Sequence, residues 1–163
     1  MKCGLIYARH NGARSIVTID SDGQHGISEV SLLLSERDGY KVTIGVREQS
    51  TYRWGKTRKF AHSLLNWIVS KTISQKITDS TSGFRLLRDE SIDLAIQLLD
   101  DDYLDDSALL LVRLGRNGLK INETTVKMNQ RREGKPSQSK GKLLLHYLSV
   151  VLRIFLERRK KWS

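Results

Sequence analysis

Ser15-Ile16-Val17-Thr18-Ile19-Asp20-Ser21-Asp22-Gly23-Gln24-His25 joins an alternating β-branched run to two carboxylates spaced two apart, a glycine, an amide and an imidazole. Side chains at i and i+2 of a strand share a face, so Asp20 and Asp22 converge if the strand persists or turns gently. Paired carboxylates repel each other. A hard divalent cation, Mg2+ or Mn2+, relieves that repulsion and keeps positions open for substrate phosphate. Asp-x-Asp-Gly also reads as a plain turn, with an aspartate capping it and the glycine supplying positive φ. The flanking segments bear on which reading holds.

Upstream, residues 2 to about 12 read as a short helix that buries Leu5, Ala8 and Ile6 and stops at Asn11-Gly12. Downstream, Ser28 is a candidate N-cap for EVSLLLSE, with Val30, Leu33 and Leu34 as its buried stripe. Residues 40–45, YKVTIG, alternate as a second strand. Strand, helix, strand of this kind predicts a parallel pair with its functional face at the carboxyl ends of the strands. Asp20 and Asp22 lie at one such end and Arg47 at the other.

A basic loop then leads into a long amphipathic helix over residues 57–73, whose apolar positions are Phe60, Ala61, Leu64, Leu65, Ile68 and Val69. Asp79-Ser80-Thr81-Ser82-Gly83 has loop chemistry, FRLL has the length of a short strand, and Asp89 caps a helix running to about Leu99. The acidic run Asp100, Asp101, Asp102, Asp105, Asp106 precedes the helix ALLLVRLG. Carboxylates there suit the helix dipole, and one of them can equally act as a general base. Residues 119–128 alternate as a last strand. They are followed by a loop bearing Arg131, Arg132, Lys135, Lys140 and Lys142, a set suited either to phosphate or to solvent.

The chain ends in KLLLHYLSVVLRIFLERRKKWS, where Lys142, His146, Ser149, Arg153 and Glu157 form one polar stripe on an apolar helix. That pattern suits a helix lying in a membrane interface, with Arg158 to Lys161 and Trp162 at headgroup level, or else a core or dimer helix. No run approaches the roughly 18 uninterrupted apolar residues of a spanning helix.

A chain of 163 residues, 39% apolar and 28% charged, is about one domain with a proper core and is not disordered. The single Cys3 excludes an internal disulfide. The net charge of +10 is unevenly placed. From Lys127 onward eleven Lys and Arg face two Glu, leaving the preceding residues close to neutral. A basic tail on a near-neutral body predicts an anionic partner, and a membrane surface fits best. Nucleic acid is not expected, because stacking aromatics and a nucleic-acid motif are missing from the basic segments. The expected location is cytoplasmic, peripheral on the inner face of the membrane.

Taken together, these segments resemble a family-2 glycosyltransferase of the GT-A fold, above all the polyprenyl-phosphate sugar transferases of the dolichyl-phosphate mannose synthase type. IVTIDSDGQH is similar to that family's metal strand, YKVTIGVR to its next strand, ITDSTSGFRLL to its DxTSGFR segment, and INETTVKMNQRREGKPS to its last strand and basic loop. The resemblance implies that Asp20 and Asp22, with Gln24, bind the Mg2+ or Mn2+ that holds a nucleotide-sugar donor. It implies that Arg47, Arg131 and Lys135 face phosphate of the donor or of a polyprenyl-phosphate acceptor. Asp79, Ser82, Gly83 and Arg85 would wall the sugar site, and Asp105 or Asp106 would be the catalytic carboxylate. Where relatives often read Pro-Glu, this chain has Leu104-Asp105-Asp106-Ser107.

Relatives open with two βα units, about 30 residues each, ahead of the metal strand. The expected fold is therefore α/β: a truncated GT-A mixed sheet flanked by helices over residues 1–140, then a basic amphipathic C-terminal helix over 141–163. That departure leaves three expectations: the chain is a fragment or a mis-started reading frame, a partner chain supplies the nucleotide-binding half, or catalysis has been lost. The expected activity is metal-dependent sugar transfer at the membrane face, and the alternative is a non-catalytic remnant that binds a membrane or a partner.

Overall fold

The computed structural model describes residues 1–20, 23–35, 39–48, 55–99, 107–127 and 140–159. They form an α/β fold whose elements, in chain order, are α1 (Lys2–His10), β1 (Ser15–Thr18), α2 (Ile27–Leu34), β2 (Val42–Arg47), α3 (Lys56–Ile73), β3 (Arg85–Arg88), α4 (Glu90–Leu98), α5 (Ser107–Arg116), β4 (Ile121–Val126) and α6 (Lys140–Arg159).

The strands make one mixed sheet in the order β1-β3-β2-β4. β3 runs antiparallel to both of its neighbours, with Thr18 opposite Arg85 and Ile44 opposite Arg85 on its other side. β2 and β4 are parallel from Val42 opposite Ile121 to Arg47 opposite Val126. The expected parallel pairing of the first two strands is therefore corrected. β1 and β2 point the same way, but β3 lies between them. The residues explain why. Phe84 and Leu86 enter one apolar cluster and Leu87 the other, all at most 1% exposed, which suits a strand covered on both faces. Ile16 and Val17 of β1 are only half buried, as an edge position allows. This order brings the carboxyl ends of β1, β2 and β4, and the amino end of β3, to one edge of the sheet.

On one face, Val42, Ile44 and Leu87 pack with Leu65, Val69, Ile92, Ala95, Val150 and Ile154 and with the whole apolar length of α5. Residues 108 to 115 of α5 are all buried, because α3, α4 and α6 surround that helix. On the opposite face the smaller cluster of Leu33, Phe84, Leu86 and Val126 lies under α2. Burial at these positions supplies the driving force, about 25 cal/mol for each Å² of apolar surface removed from water.

Several boundaries and faces differ from the expectation. Gly26, not Ser28, is the N-cap of α2 and makes no side-chain cap, while Leu34 remains 46% exposed. In α3 the buried face is Leu65, Val69 and Ile73, and Phe60 and Leu64 turn outward. The helix is amphipathic as expected, but its apolar residues cover more than the face the core can take. Asp89 is the N-cap of α4 by position only. It makes no side-chain cap bond, and its carboxylate accepts instead from Lys41 Nζ at 3.0 Å and Arg14 Nε at 3.4 Å. Glu157, expected on a polar stripe, is 4% exposed and pairs at 3.0 Å with Arg113 of α5. Among the described residues no helix is long and apolar enough to cross a membrane.

Candidate functional site

Among the described residues singled out from sequence, Asp20, Arg47, Asp79, Ser82, Gly83 and Arg85 gather at the sheet edge where β1 and β2 end and β3 begins. Two close approaches set the geometry. A Cβ on Gly45 would lie 2.4 Å from Phe84 Cδ1, so only glycine lets β2 pass that ring, and Gly45 N–H donates to the Phe84 carbonyl at 2.9 Å. A Cβ on Gly83 would lie 2.6 Å from Asp20 Oδ1, so this glycine leaves room for the carboxylate at the end of β1. Thr18 Oγ1 donates to the Gly83 carbonyl at 2.7 Å, and Ser82 Oγ to the Gly45 carbonyl at 2.7 Å. The segment 82–84 is thereby tied to β1 on one side and β2 on the other.

Asp79 is the hub of the loop that precedes it. It is 2% exposed. Its Oδ1 accepts from Thr81 Oγ1 at 2.9 Å, from Thr81 N at 3.2 Å and from His62 Nε2 at 3.1 Å, and Oδ2 lies 3.7 Å from Arg47 Nε. Burial pushes the carboxyl up, but the hydrogen bond from His62, the charge of Arg47 and the Thr81 hydroxyl together hold it below the ordinary carboxylate value. Asp79 is therefore an ionised interior group whose charge is met by a cation from the end of β2.

α3 supplies the rest of the scaffold. Asn66 Oδ1 accepts from Ser80 N at 2.9 Å and Ser80 Oγ at 2.7 Å, and Asn66 Nδ2 donates to the Thr78 carbonyl and to His62 Nδ1. With Nδ1 accepting, His62 is the tautomer that carries its proton on Nε2, the nitrogen facing Asp79. From β4, Glu123 accepts from Thr78 N at 2.6 Å and Thr78 Oγ1 at 2.9 Å. Sequence reading missed His62, Asn66 and Glu123. Only the i, i+4 spacing of His62 and Asn66 on an amphipathic helix pointed to a shared task for the first two.

Arg85 is 2% exposed. It donates from Nε to the Ser82 carbonyl at 2.8 Å and from Nη2 to the Ser80 carbonyl at 3.3 Å, so it braces the loop from within. Gln24 is 3% exposed, and the ring of His25 stacks on Phe84 with centroids 4.4 Å apart, which fastens the turn after β1 to the core. Asp22, Asp105, Asp106, Arg131 and Lys135 lie outside the described residues.

The donors present suit a hard cation in kind. Asp20 offers carboxylate oxygen in the space that Gly83 leaves. Among the described residues no three His, Cys, Asp or Glu side chains come together as a metal site. Chemically, the edge offers a carboxylate at one strand end, a cation at the next and a rigid polar loop between them. No protein-family model matches this sequence.

Proposed function

We propose that this chain carries out inverting, metal-dependent sugar transfer of the family-2, GT-A type. It would transfer a sugar from a nucleotide-sugar donor to an acceptor such as a polyprenyl phosphate, at the cytoplasmic face of the membrane. The observation that carries this reading is the convergence of three separated segments. Asp20 packs on Gly83, Arg47 on Asp79, and Ser82 on the Gly45 carbonyl, all at one sheet edge. Edges formed by the carboxyl ends of strands are where α/β folds bind phosphorylated ligands.

In this reading Asp20, with Asp22 and Gln24, holds Mg2+ or Mn2+, which when bound offsets negative charge on the departing nucleoside diphosphate. The acceptor oxygen forms its bond to the anomeric carbon as the bond from that carbon to diphosphate breaks, and the electron pair leaves with the diphosphate. Arg47 supplies positive charge toward phosphate. Asp79 and His62 hold the Arg47 side chain and the Thr81–Gly83 wall in place, a positioning role that needs a rigid loop. Asp105 or Asp106 would take the proton of an acceptor hydroxyl where the acceptor carries one.

Calorimetric titration of the chain with a panel of nucleotide sugars and Mn2+ tests this. Saturable heat with one nucleotide, abolished by Asp20→Ala, is expected. Absence of heat across the panel would leave a non-catalytic binding module as the reading.

A further inference from the structure

α3 and α6 pack against each other and against the buried α5, so both are outer helices of one layer. Each turns an apolar stripe away from that layer. On α3 the stripe is Phe60, Leu64 and Trp67, which are 72%, 45% and 59% exposed. On α6 it is Leu148, Leu152 and Leu156, at 54%, 64% and 56%, with Phe155 beside them. Positions spaced by three and four recur on one side of a helix, so each set is a continuous ridge. These are large apolar residues grouped on two neighbouring helices, unlike single surface leucines.

The charges around the ridges identify what covers them. α3 has Lys56, Arg58, Lys59 and Lys71 and neither Asp nor Glu in its eighteen residues. α6 has Lys140, Lys142, Arg153, Arg158 and Arg159, and its single acid, Glu157, is turned inward onto Arg113. Lys160, Lys161 and Trp162 follow directly in the sequence. Among the described side chains, Lys59 and Lys71 of α3 are exposed and Arg153 of α6 is half-buried, and neither helix offers a carboxylate beside the apolar ridges. A second copy would bring like charge against like. An anionic lipid surface answers both properties at once, since acyl chains accept the ridges and headgroups accept the lysines and arginines.

We infer that α3 and α6 together form a two-helix membrane-docking face that inserts Phe60, Leu64 and Trp67 alongside Leu148, Leu152 and Leu156 into an anionic bilayer interface. This deepens the membrane part of the function proposed above by adding α3, and it does not depend on sugar transfer.

The test is flotation of the full chain with vesicles of equimolar phosphatidylcholine and phosphatidylglycerol, and with phosphatidylcholine alone, without any nucleotide sugar. Binding to the anionic vesicles only is expected. Phe60→Glu with Trp67→Glu on α3, and Leu152→Glu with Leu156→Glu on α6, should each weaken it at least about tenfold. These positions are exposed, and unchanged circular dichroism and melting of both variants would separate lost docking from lost folding. In a Trp54→Phe, Trp162→Phe background, Trp67 emission should shift blue on binding and be quenched by brominated lipid. Full binding by the α3 variant would overturn the two-helix face. So would equal binding to uncharged vesicles, or a concentration-dependent dimer that the same substitutions disrupt and that ignores lipid. Failure of nucleotide-sugar titration leaves this result untouched, so the two readings fail separately.

Discussion

Asp79 and Glu157 are both interior carboxylates that face an arginine, yet they sit in different surroundings. Asp79 is gripped by a loop hydroxyl, a loop amide, an imidazole from α3 and the guanidinium of Arg47. Glu157 faces Arg113, whose Nη1 also donates to the Leu98 carbonyl, while Arg116 donates to the backbone carbonyl of Glu157. The first carboxylate organises a loop at the sheet edge. The second fastens one helix to another inside an apolar layer. A buried charge can thus serve local geometry or the attachment of an element, and the kind of partner tells which.

The Glu157 side of the comparison carries the largest expected effect. Glu157→Ala leaves the Arg113 guanidinium in a low-dielectric layer and should cost about 3–5 kcal/mol in urea unfolding. Arg113→Met combined with Glu157→Leu should recover most of that, because replacing both charges removes the desolvation penalty along with the attraction. Hydrogen exchange should show the loss in the amides of α6 first. A cost below about 1 kcal/mol for the single substitution would mean that the pair behaves as a surface one.

Asp79→Ala strips the acceptor from Thr81 and His62 and the counter-charge from Arg47, at an expected cost of about 2–3 kcal/mol. The contrast with Glu157 lies in where protection is lost. Exchange should rise at residues 79–84 while α6 stays protected. If both substitutions loosen the same segment, the two carboxylates are not separate devices. Gly45→Ala attacks the same edge through sterics. The new methyl must displace the Phe84 ring, which is 0% exposed and has His25 stacked on it, so about 1–3 kcal/mol should be lost. Phe84→Leu added to Gly45→Ala should restore part of the melting temperature.

The sequence made the strands, the helices and the loop from Asp79 to Gly83 readable because each rests on local patterning: alternation in VTIGV, helical spacing through α3 and α5, and turn residues between them. Strand order was not readable. The insertion of β3 between β1 and β2 depends on which strand has apolar residues on both faces, and a four-residue run such as RLLR does not display that by itself. At the candidate site, Asp20 and Arg47 stand out by residue type at strand ends, and Asp79, Ser82 and Gly83 by the resemblance of their segment. His62 and Asn66 were passed over because polar residues on the flank of an amphipathic helix look like a solvated face until the loop they hold is seen. Which side of α6 faces inward was likewise hidden, since the choice turns on Arg113, forty-four residues earlier.

The smallest expected effect is a pH dependence at Asp79. In the folded chain its carboxyl is held below the ordinary value of 3.8, since the His62 hydrogen bond, Arg47 and Thr81 together outweigh the opposing effect of burial. Between the lowered folded value and 3.8 the unfolded chain binds more protons than the folded one, so stability falls as pH falls through that window. The contribution is fully present above the ordinary carboxylate range and disappears once the folded group is protonated. Asp79→Asn keeps the size and one acceptor but cannot titrate. Its urea midpoint should therefore sit below that of the parent at about pH 6 and converge on it as the pH is lowered through and beyond 3.8. Parallel acid limbs for the two proteins would remove Asp79 from the groups whose ionisation holds the sheet edge together.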